Sequence, residues 1–130
     1  MLTAALTCLA LNVYHEARGD SLTSQVAVAH VVMNRVAHSR WPDDVCSVVK
    51  QGYVKGRSDC QFSWYCDGKS DKPYELEAWA KAILIARDVI SGESIDSTKG
   101  ATHYHARYVN PWWSDYLEET GRIGMHVFYK

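Results

Sequence analysis

Two consecutive apolar stripes with helical spacing, separated by a short polar break, constrain the fold of this 130-residue chain most strongly. In residues 2–17, apolar side chains recur every three or four positions, at Leu2, Leu6, Leu9 and Val13. Gly19 suits the turn that ends this segment, and Ser21 is a good N-cap for the next one. The second stripe contains Leu22, Val26, Ala29, Val32, Met33 and Val36. The pattern predicts two helices, the second ending near residues 38–40.

Two further helices are predicted from helix start and stop signals. Pro42 fits the first turn of a short third helix, because Asp43 and Asp44 would then lie near its positive end. A long fourth helix is predicted over Pro73–Ile90, and Gly92 closes it.

The remaining segments predict loops and short strands. Residues 51–72 are rich in Gly, Ser, Asp and Lys and predict loops around an extended piece at Gln61–Tyr65. Strands are predicted over residues 101–106 and 123–129. The sequence contains no internal repeat and no linker, so we expect a single domain over residues 1–130. Its expected class is α+β, mostly helical, with a small antiparallel sheet.

Charge and aromatic content narrow the range of partners. The formal net charge is −1, which does not favour a general nucleic-acid binder. Five Trp and eight Tyr stand against two Phe, and Trp and Tyr rings offer flat faces on which sugars or core side chains stack. For the adjacent Trp112 and Trp113, core packing and a sugar platform both fit the sequence.

The apolar N-terminal segment, residues 1–13, resembles a signal peptide only in its hydrophobicity. No Lys or Arg precedes Arg18, and the segment runs directly into Tyr14, His15 and Glu16, so we interpret it as a helix of the mature domain. No apolar run approaches the roughly 20 residues that a membrane span needs. We therefore expect a soluble chain with no export signal and no stable membrane association.

The four cysteines allow more than one arrangement. Cys8 lies on the apolar face of the first helix and is predicted to be a buried free thiol. Cys46, Cys60 and Cys66 bracket the loop-rich stretch and would supply one disulfide in an oxidising compartment, with the pairing open. A zinc site would need further ligands, which the chain offers at His103, His105 and His126. The paired C-x-x-C spacing of structural zinc sites is absent, so we expect no metal and no cofactor.

Glu16 is the strongest candidate for chemistry. It ends a mostly apolar helix just before the glycine turn, where the negative end of the helix dipole and apolar surroundings both oppose ionisation. A carboxyl group with a raised pKa is what a general acid requires near neutral pH. The alternative is a solvated helix-end residue paired with a cation such as Arg18. Because such an ion pair would oppose the acid role, we expect Arg18 to point elsewhere.

An ordered set of motifs resembles the cell wall hydrolase and spore cortex-lytic enzyme family, which includes germination-specific lytic transglycosylases and phage endolysins. The first motif is Asn12-Val13-Tyr14-His15-Glu16-Ala17-Arg18-Gly19-Asp20. The later ones, in chain order, are residues 25–36, Trp41-Pro42, residues 45–49, Cys60-Gln61-Phe62-Ser63-Trp64, Gly100-Ala101-Thr102-His103-Tyr104 and residues 123–129. The resemblance covers nearly the whole chain.

This resemblance implies a lysozyme-like fold with Glu16 as a single catalytic acid and base. The glutamic acid would protonate the oxygen between MurNAc and GlcNAc, and its carboxylate would then assist attack by the MurNAc 6-hydroxyl, giving a 1,6-anhydro product. Gln61 and Ser63 are candidate sugar contacts, and Phe62 is expected to be structural. His103 and Tyr104 are further cleft candidates. Peptidoglycan glycan strands are the implied partner, bound by a monomer.

Two alternatives to the transglycosylase remain open. Hydrolysis usually needs a second carboxylate, but Asp20 is predicted to cap the second helix and the later acids cannot be placed from sequence. A wall-binding module without catalysis is the other alternative. Arg35 is expected to hydrogen-bond nearby backbone.

For the biological setting, we expect a phage endolysin made in the host cytoplasm and acting on the wall in the periplasm, with a truncated bacterial autolysin as the competing interpretation.

Overall fold

A computed structural model describes residues 2–57 and 59–130 of the chain. Four α-helices come first and a three-stranded sheet follows. The elements, in chain order, are α1 (Ala4–Ala17), α2 (Leu22–Val36), α3 (Val45–Val49), a 3-10 turn (Ser63–Cys66), α4 (Leu76–Ser91), β1 (His103–Ala106), a second 3-10 turn (Trp112–Asp115), β2 (Glu119–Ile123) and β3 (His126–Tyr129). The predicted α+β class is confirmed, with helices making up most of the regular structure.

The first two helices form where the apolar stripes predict them. The Thr3 side chain caps α1 by accepting a hydrogen bond from the Leu6 N–H at 3.1 Å. Ser21 is the N-cap of α2, as predicted, and its Oγ accepts from the Ser24 N–H at 3.2 Å. Gly19 takes a φ of +85°, which suits the predicted glycine turn between the two helices.

The starts of the third and fourth helices were predicted too early. Helix α3 begins at Val45, because Asp44 caps it by accepting from the Ser47 N–H at 2.9 Å, so Pro42 lies in the preceding loop. Helix α4 begins at Leu76, three residues after Pro73. Its predicted closure at Gly92 is confirmed, with a φ of +83°.

The extended piece predicted at Gln61–Tyr65 is wrong, because Ser63–Cys66 forms a 3-10 turn. A disulfide between Cys60 and Cys66 brackets this turn. The Trp64 side chain is buried, and its Nε1–H donates to Asn12 Oδ1 at 2.8 Å. This segment is therefore a loop that is held to α1 by the Trp64–Asn12 hydrogen bond.

The sheet has the strand order β1-β3-β2, and both pairings are antiparallel. The strand predicted over residues 123–129 is instead the end of β2, a tight turn and β3. Gly124, with a φ of +56°, makes this turn possible. Strand β2 had not been predicted, and the strand predicted from residue 101 begins at His103.

Helix α1 is the centre of the core and packs against the other three helices. Its fully buried residues include Leu9, Val13 and Tyr14. A smaller apolar cluster lies between α2 and the sheet and contains Ala27, Val31, Ala101 and Phe128. Because α1 is held on several sides, its C-terminal turn, which carries Glu16, has a well-defined position.

All four cysteines form disulfides, so the predicted free thiol at Cys8 is wrong. Cys8 in α1 pairs with Cys46 in α3, and Cys60 pairs with Cys66. The pairing of Cys8 depends on the packing of α1 against α3, which brings the two Cα atoms to 5.3 Å. With every thiol in a disulfide, the alternative zinc site has no cysteine ligands.

None of the helices in the described part of the chain is long and apolar enough to cross a membrane.

Candidate active site

Glu16 lies in the last turn of α1 and is half-buried at the junction of two surface depressions. The first, here called the sheet-side depression, has a volume of about 310 Å³. Its lining includes Glu16, Asp20, Ala106, Tyr108, Met125 and His126. The second, the loop-side depression, has a volume of about 370 Å³. Its lining includes His15, Glu16, Ser63, Trp64, Lys69 and Asp71.

Tyr104 in β1 holds the Glu16 carboxyl group from inside the protein. Its hydroxyl donates a short hydrogen bond to Glu16 Oε1. The Tyr104 ring is fixed by aromatic neighbours, with ring centroids 5.3 Å from His126 and 5.8 Å from Phe128. Burial and the neighbouring Glu16 raise the pKa of the Tyr104 phenol, so it stays protonated and remains a donor. Tyr104 thus contacts Glu16 directly but is not among the residues that line the two depressions, and its predicted role as a sugar contact stays a prediction.

Arg35 is a buried cation close to this pair, with only 2% of its surface exposed. Its Nε–H donates to the Thr102 carbonyl at 2.6 Å, so Arg35 bonds to backbone as predicted, although the sequence does not indicate this partner 67 positions away. Its guanidinium carbon lies 5.3 Å from the centroid of Trp41 and 5.4 Å from that of Phe62. The sequence does not predict its electrostatic influence on Glu16, because the two residues lie on different helices and the helix patterns do not show how these helices pack.

The pKa of Glu16 results from opposing effects. Burial raises the pKa, while the hydrogen bond from Tyr104 and the positive charge of Arg35 lower it. Burial prevails, and the pKa of the carboxyl group is raised above its ordinary value. The group therefore holds a proton to higher pH than a solvated glutamate, which suits a general acid. Arg18 does not contribute, because its guanidinium lies over the Tyr14 ring and its Nε lies 3.9 Å from Glu75 Oε2.

Asp20 and His126 form a second polar group beside Glu16. Asp20 Oδ2 lies 3.1 Å from His126 Nδ1 and accepts from the Met125 N–H at 3.1 Å. Burial alone would raise the pKa of Asp20, but hydrogen bonds and His126 together lower it. The prediction that Asp20 caps α2 is wrong: Ser21 is the cap, and Asp20 joins the α1–α2 turn to the β2–β3 turn. In the sequence, His126 is a possible zinc ligand and part of the motif over residues 123–129, and neither observation pairs it with Asp20.

The other predicted site residues are dispersed. Ser63 is exposed and lines the loop-side depression, whereas Gln61 is exposed but borders neither depression at Glu16. Phe62 is buried in the core, in agreement with its expected structural role. His103 lies in a separate depression of about 370 Å³ that also contains Trp41 and Lys130.

The two tryptophans lie in different surroundings, and the sugar platform stays a prediction. Trp112 is 76% exposed, and Trp113 packs against His103 with ring centroids 5.2 Å apart. Both lie outside the linings of the two depressions at Glu16. A further depression of about 540 Å³, lined by residues from Tyr53 to Lys69, contains none of the predicted site residues.

The family model described as Cell Wall Hydrolase matches residues 19–129 of the chain. The chain belongs to the cell wall hydrolase family. The matched region contains Tyr104 and the Asp20–His126 pair, and it begins three residues after Glu16.

Among curated relatives, a spore cortex-lytic enzyme of Halalkalibacterium halodurans is 31% identical over 92% of this chain. A spore cortex-lytic enzyme of Oceanobacillus iheyensis is 31% identical over 91%. The chain spans only 33% and 38% of the length of these two relatives.

Two solved structures share the fold over almost the whole chain. The catalytic domain of the Bacillus cereus SleB protein is 29% identical, with a TM-score of 0.76, and the match covers 97% of this chain and 89% of that one. The catalytic domain of the germination-specific lytic transglycosylase SleB from Bacillus anthracis is 28% identical, with a TM-score of 0.72, and the match covers 100% of this chain and 97% of that one. The predicted lysozyme-like α+β fold is confirmed by this agreement.

Proposed function

We propose that this chain is a single catalytic domain that cleaves the glycan backbone of peptidoglycan, with Glu16 as the proton donor. The observation that carries the proposal is the position of the Glu16 carboxyl group. It has a raised pKa, it is oriented by Tyr104, and it borders two depressions. A polymer substrate needs such room on both sides of the bond that is cut. The family membership and the names of the relatives support a wall substrate.

We further propose that the bond is the β-1,4 linkage between MurNAc and GlcNAc and that the reaction is a lytic transglycosylation. The Glu16 carboxylic acid gives its proton to the linking oxygen, and the bond from this oxygen to the anomeric carbon breaks. The MurNAc 6-hydroxyl then bonds to the anomeric carbon and gives its proton to the Glu16 carboxylate, which closes a 1,6-anhydro ring and restores the acid. The similarity to the SleB lytic transglycosylase domain supports this course.

A muramidase that uses water is the second candidate function. The specific observation in its favour is Asp20, whose carboxylate lines the sheet-side depression together with Glu16 and has a lowered pKa. An acid that keeps its proton and a carboxylate that stays ionised form the pair that glycoside hydrolases use. The hydrogen bonds of Asp20 to Met125 and His126 already engage this carboxylate, so we place the transglycosylase first.

Purified peptidoglycan provides the test of catalysis. We expect Glu16→Gln to slow the loss of turbidity by at least about 10²-fold, as for the removal of a general acid. The matched control is Glu93→Gln, which makes the same change at an exposed glutamate beyond the end of α4 and should lyse like the wild type. Unchanged lysis by Glu16→Gln would contradict the proposal and favour a binding module or another site.

Mass spectrometry of the digest separates the two mechanisms. Anhydro-MurNAc ends support transglycosylation, and ends that are heavier by one water support the muramidase.

For the setting, we propose that the chain acts on the wall outside the cytoplasm, in the periplasm. Two disulfides support this, because such bonds persist in oxidising compartments. The phage endolysin role, the monomeric state and the lack of membrane association stay predictions from the sequence. The spore cortex-lytic names of the relatives support a bacterial germination enzyme as the competing origin. Comparing lysis of spore cortex with lysis of vegetative walls distinguishes the two origins.

A further inference from the structure

The Asp20–His126 pair has the geometry of a proton-transfer group and faces the same depression as Glu16. Asp20 lies in the turn between α1 and α2, and His126 is the first residue of β3. Both residues line the sheet-side depression together with Glu16. The fold therefore places an imidazole and the carboxylic acid in the lining of one depression.

The hydrogen bonds of Asp20 define which nitrogen of His126 carries the proton. Asp20 Oδ1 accepts from the Ser21 N–H at 2.7 Å, and Oδ2 accepts from the Met125 N–H at 3.1 Å. An ionised carboxylate accepts hydrogen bonds and cannot donate one. His126 Nδ1, 3.1 Å from Oδ2, must therefore be the donor. Ser24 Oγ, 3.0 Å from the same nitrogen, supports the ring in this orientation.

The other ring nitrogen is left to act on a substrate. In a neutral imidazole whose proton is on Nδ1, Nε2 carries a lone pair and accepts a proton. His126 Nε2 makes no hydrogen bond to any described residue, although the ring lines the depression. An aspartate that fixes the tautomer of a histidine and leaves Nε2 as the base is the arrangement that serine proteases use.

We propose that His126 is the second proton-transfer residue of this site and that its Nε2 takes the proton from the hydroxyl that attacks the anomeric carbon. The inference rests on the proposed function and changes one step of it: His126, instead of the Glu16 carboxylate, is the base. Asp20 is the positioning residue that fixes the tautomer and stabilises the imidazolium.

The proton balance of this scheme closes. Glu16 gives its proton to the linking oxygen, which leaves as a hydroxyl of the released sugar. The attacking hydroxyl forms its bond to the anomeric carbon and gives its proton to Nε2. The site then holds a Glu16 carboxylate and a His126 imidazolium, and transfer of one proton from the second to the first through solvent restores the starting state.

The tautomer can be tested on the unaltered protein by ¹⁵N NMR of the histidine rings. We expect the proton of His126 to be on Nδ1, with Nε2 unprotonated, at the pH at which lysis is fastest. A proton on Nε2 at that pH, in either the neutral or the charged ring, overturns the proposal. This measurement does not depend on how any variant folds.

The catalytic role is tested by His126→Asn, since the asparagine amide retains a donor toward Asp20 and lacks Nε2. We expect normal binding to insoluble peptidoglycan, unchanged KM and a fall in kcat on the order of 10²–10⁴-fold. The matched control is His38→Asn at an exposed position outside the two depressions.

The pH profile separates this role from a structural one. The titratable groups that act on His126 are Asp20, Tyr104 and His105, and Glu16 shares its depression. Burial lowers the pKa of His126, and Asp20 opposes this effect. We expect the wild-type kcat/KM to fall at acid pH as His126 takes up a proton, and His126→Asn to lose this acid limb.

The outcomes for the two proposals are distinguishable. If Glu16→Gln is inactive while His126→Asn keeps its kcat within about threefold and retains the acid limb, His126 is not the base and the proposed function stands. If Glu16→Gln is fully active, the proposed function itself fails.

Discussion

Glu16 is placed where the cost of its negative charge is high, and this cost is the source of its reactivity. Burial opposes ionisation, and the two groups that favour the carboxylate, Tyr104 and Arg35, offset the effect only in part. The native protein thus keeps a proton that the unfolded chain has already released. For each unit by which the native pKa of Glu16 exceeds its unfolded value, the free energy of unfolding is lower by about 1.4 kcal/mol at pH values above both pKa values.

This linkage predicts that Glu16→Gln stabilises the protein as pH rises. Well below pH 4.5, the ordinary pKa of a glutamate carboxyl group, Glu16 is protonated in both the folded and the unfolded state, and we expect wild type and variant to be similarly stable. As pH rises from there through the raised native pKa, the wild type loses stability and the glutamine variant does not. Urea unfolding at a series of pH values measures the difference. A wild type that gains stability relative to Glu16→Gln with rising pH would contradict a raised pKa.

The sequence indicated Glu16 and Tyr104 as site residues but did not show the tertiary contacts that surround them. The apolar helix and the glycine turn that adjoin Glu16 made it a candidate, and the ordered motifs that resemble the cell wall hydrolase family made it the predicted acid. Its electrostatic coupling to Arg35 in α2 was missed, because the helix pattern shows that Arg35 is helical but not what it faces. Asp20 and His126 are 106 positions apart, and their contact exists only once β3 packs beside the α1–α2 turn.

At the scale of elements, the β2–β3 turn decides whether His126 reaches its place. Gly124 takes a φ of +56°, and a Cβ at this position would lie 2.7 Å from Asp20 Oδ1 and 2.8 Å from Ser24 Cβ. The turn and the start of α2 thus approach each other as closely as a glycine permits. Any side chain there would separate the two elements that hold the Asp20–His126 pair.

We therefore expect Gly124→Ala to lower the free energy of unfolding by roughly 1–3 kcal/mol, from backbone strain and overpacking. Its kcat should fall as well, because His126 is displaced. Gly121→Ala is the control: a Cβ at Gly121 in β2 meets nothing within 4 Å. Urea unfolding and the rate of lysis measure both effects. Equal stability of the two variants would show that the close approach at Gly124 is unimportant.

The same reasoning explains which elements could be predicted. Helices α1 and α2 have long apolar stripes and good caps, so their sequence pattern is sufficient. Strand β2, Glu119–Ile123, is an edge strand with the sequence Glu-Thr-Gly-Arg-Ile, and it pairs with β3 on one side only. Its polar residues carry no strand signal, since the pairing partner and not the local pattern makes it a strand.

At the scale of the whole molecule, the sequence predicts the fold class but not which cysteines pair in disulfides. A mostly helical α+β domain is predicted by helix patterns and by strand signals near the C-terminus. The pairing of Cys8 with Cys46 requires that α1 and α3 pack side by side, and nothing in the spacing of the cysteines indicates this. The apolar position of Cys8 predicts burial equally well for a free thiol.

The two disulfides should have different effects on stability and activity. Their sequence separations are 38 for Cys8–Cys46 and 6 for Cys60–Cys66. The chain-entropy relation for loops of these lengths gives about 4 kcal/mol for the first bond and about 2 kcal/mol for the second. The Cys60–Cys66 loop carries Ser63 and Trp64, which line the loop-side depression.

We accordingly expect Cys8→Ala with Cys46→Ala to cause the larger loss in unfolding free energy and to leave KM for peptidoglycan nearly unchanged. Cys60→Ala with Cys66→Ala should cost less stability and raise KM, because one wall of the loop-side depression is released. Urea unfolding and initial rates of lysis measure the two effects, and a variant with all four alanines, which should not respond to reductant, is the control. A larger stability loss for the short loop, or a raised KM confined to the Cys8–Cys46 pair, would contradict this division of roles between core and cleft.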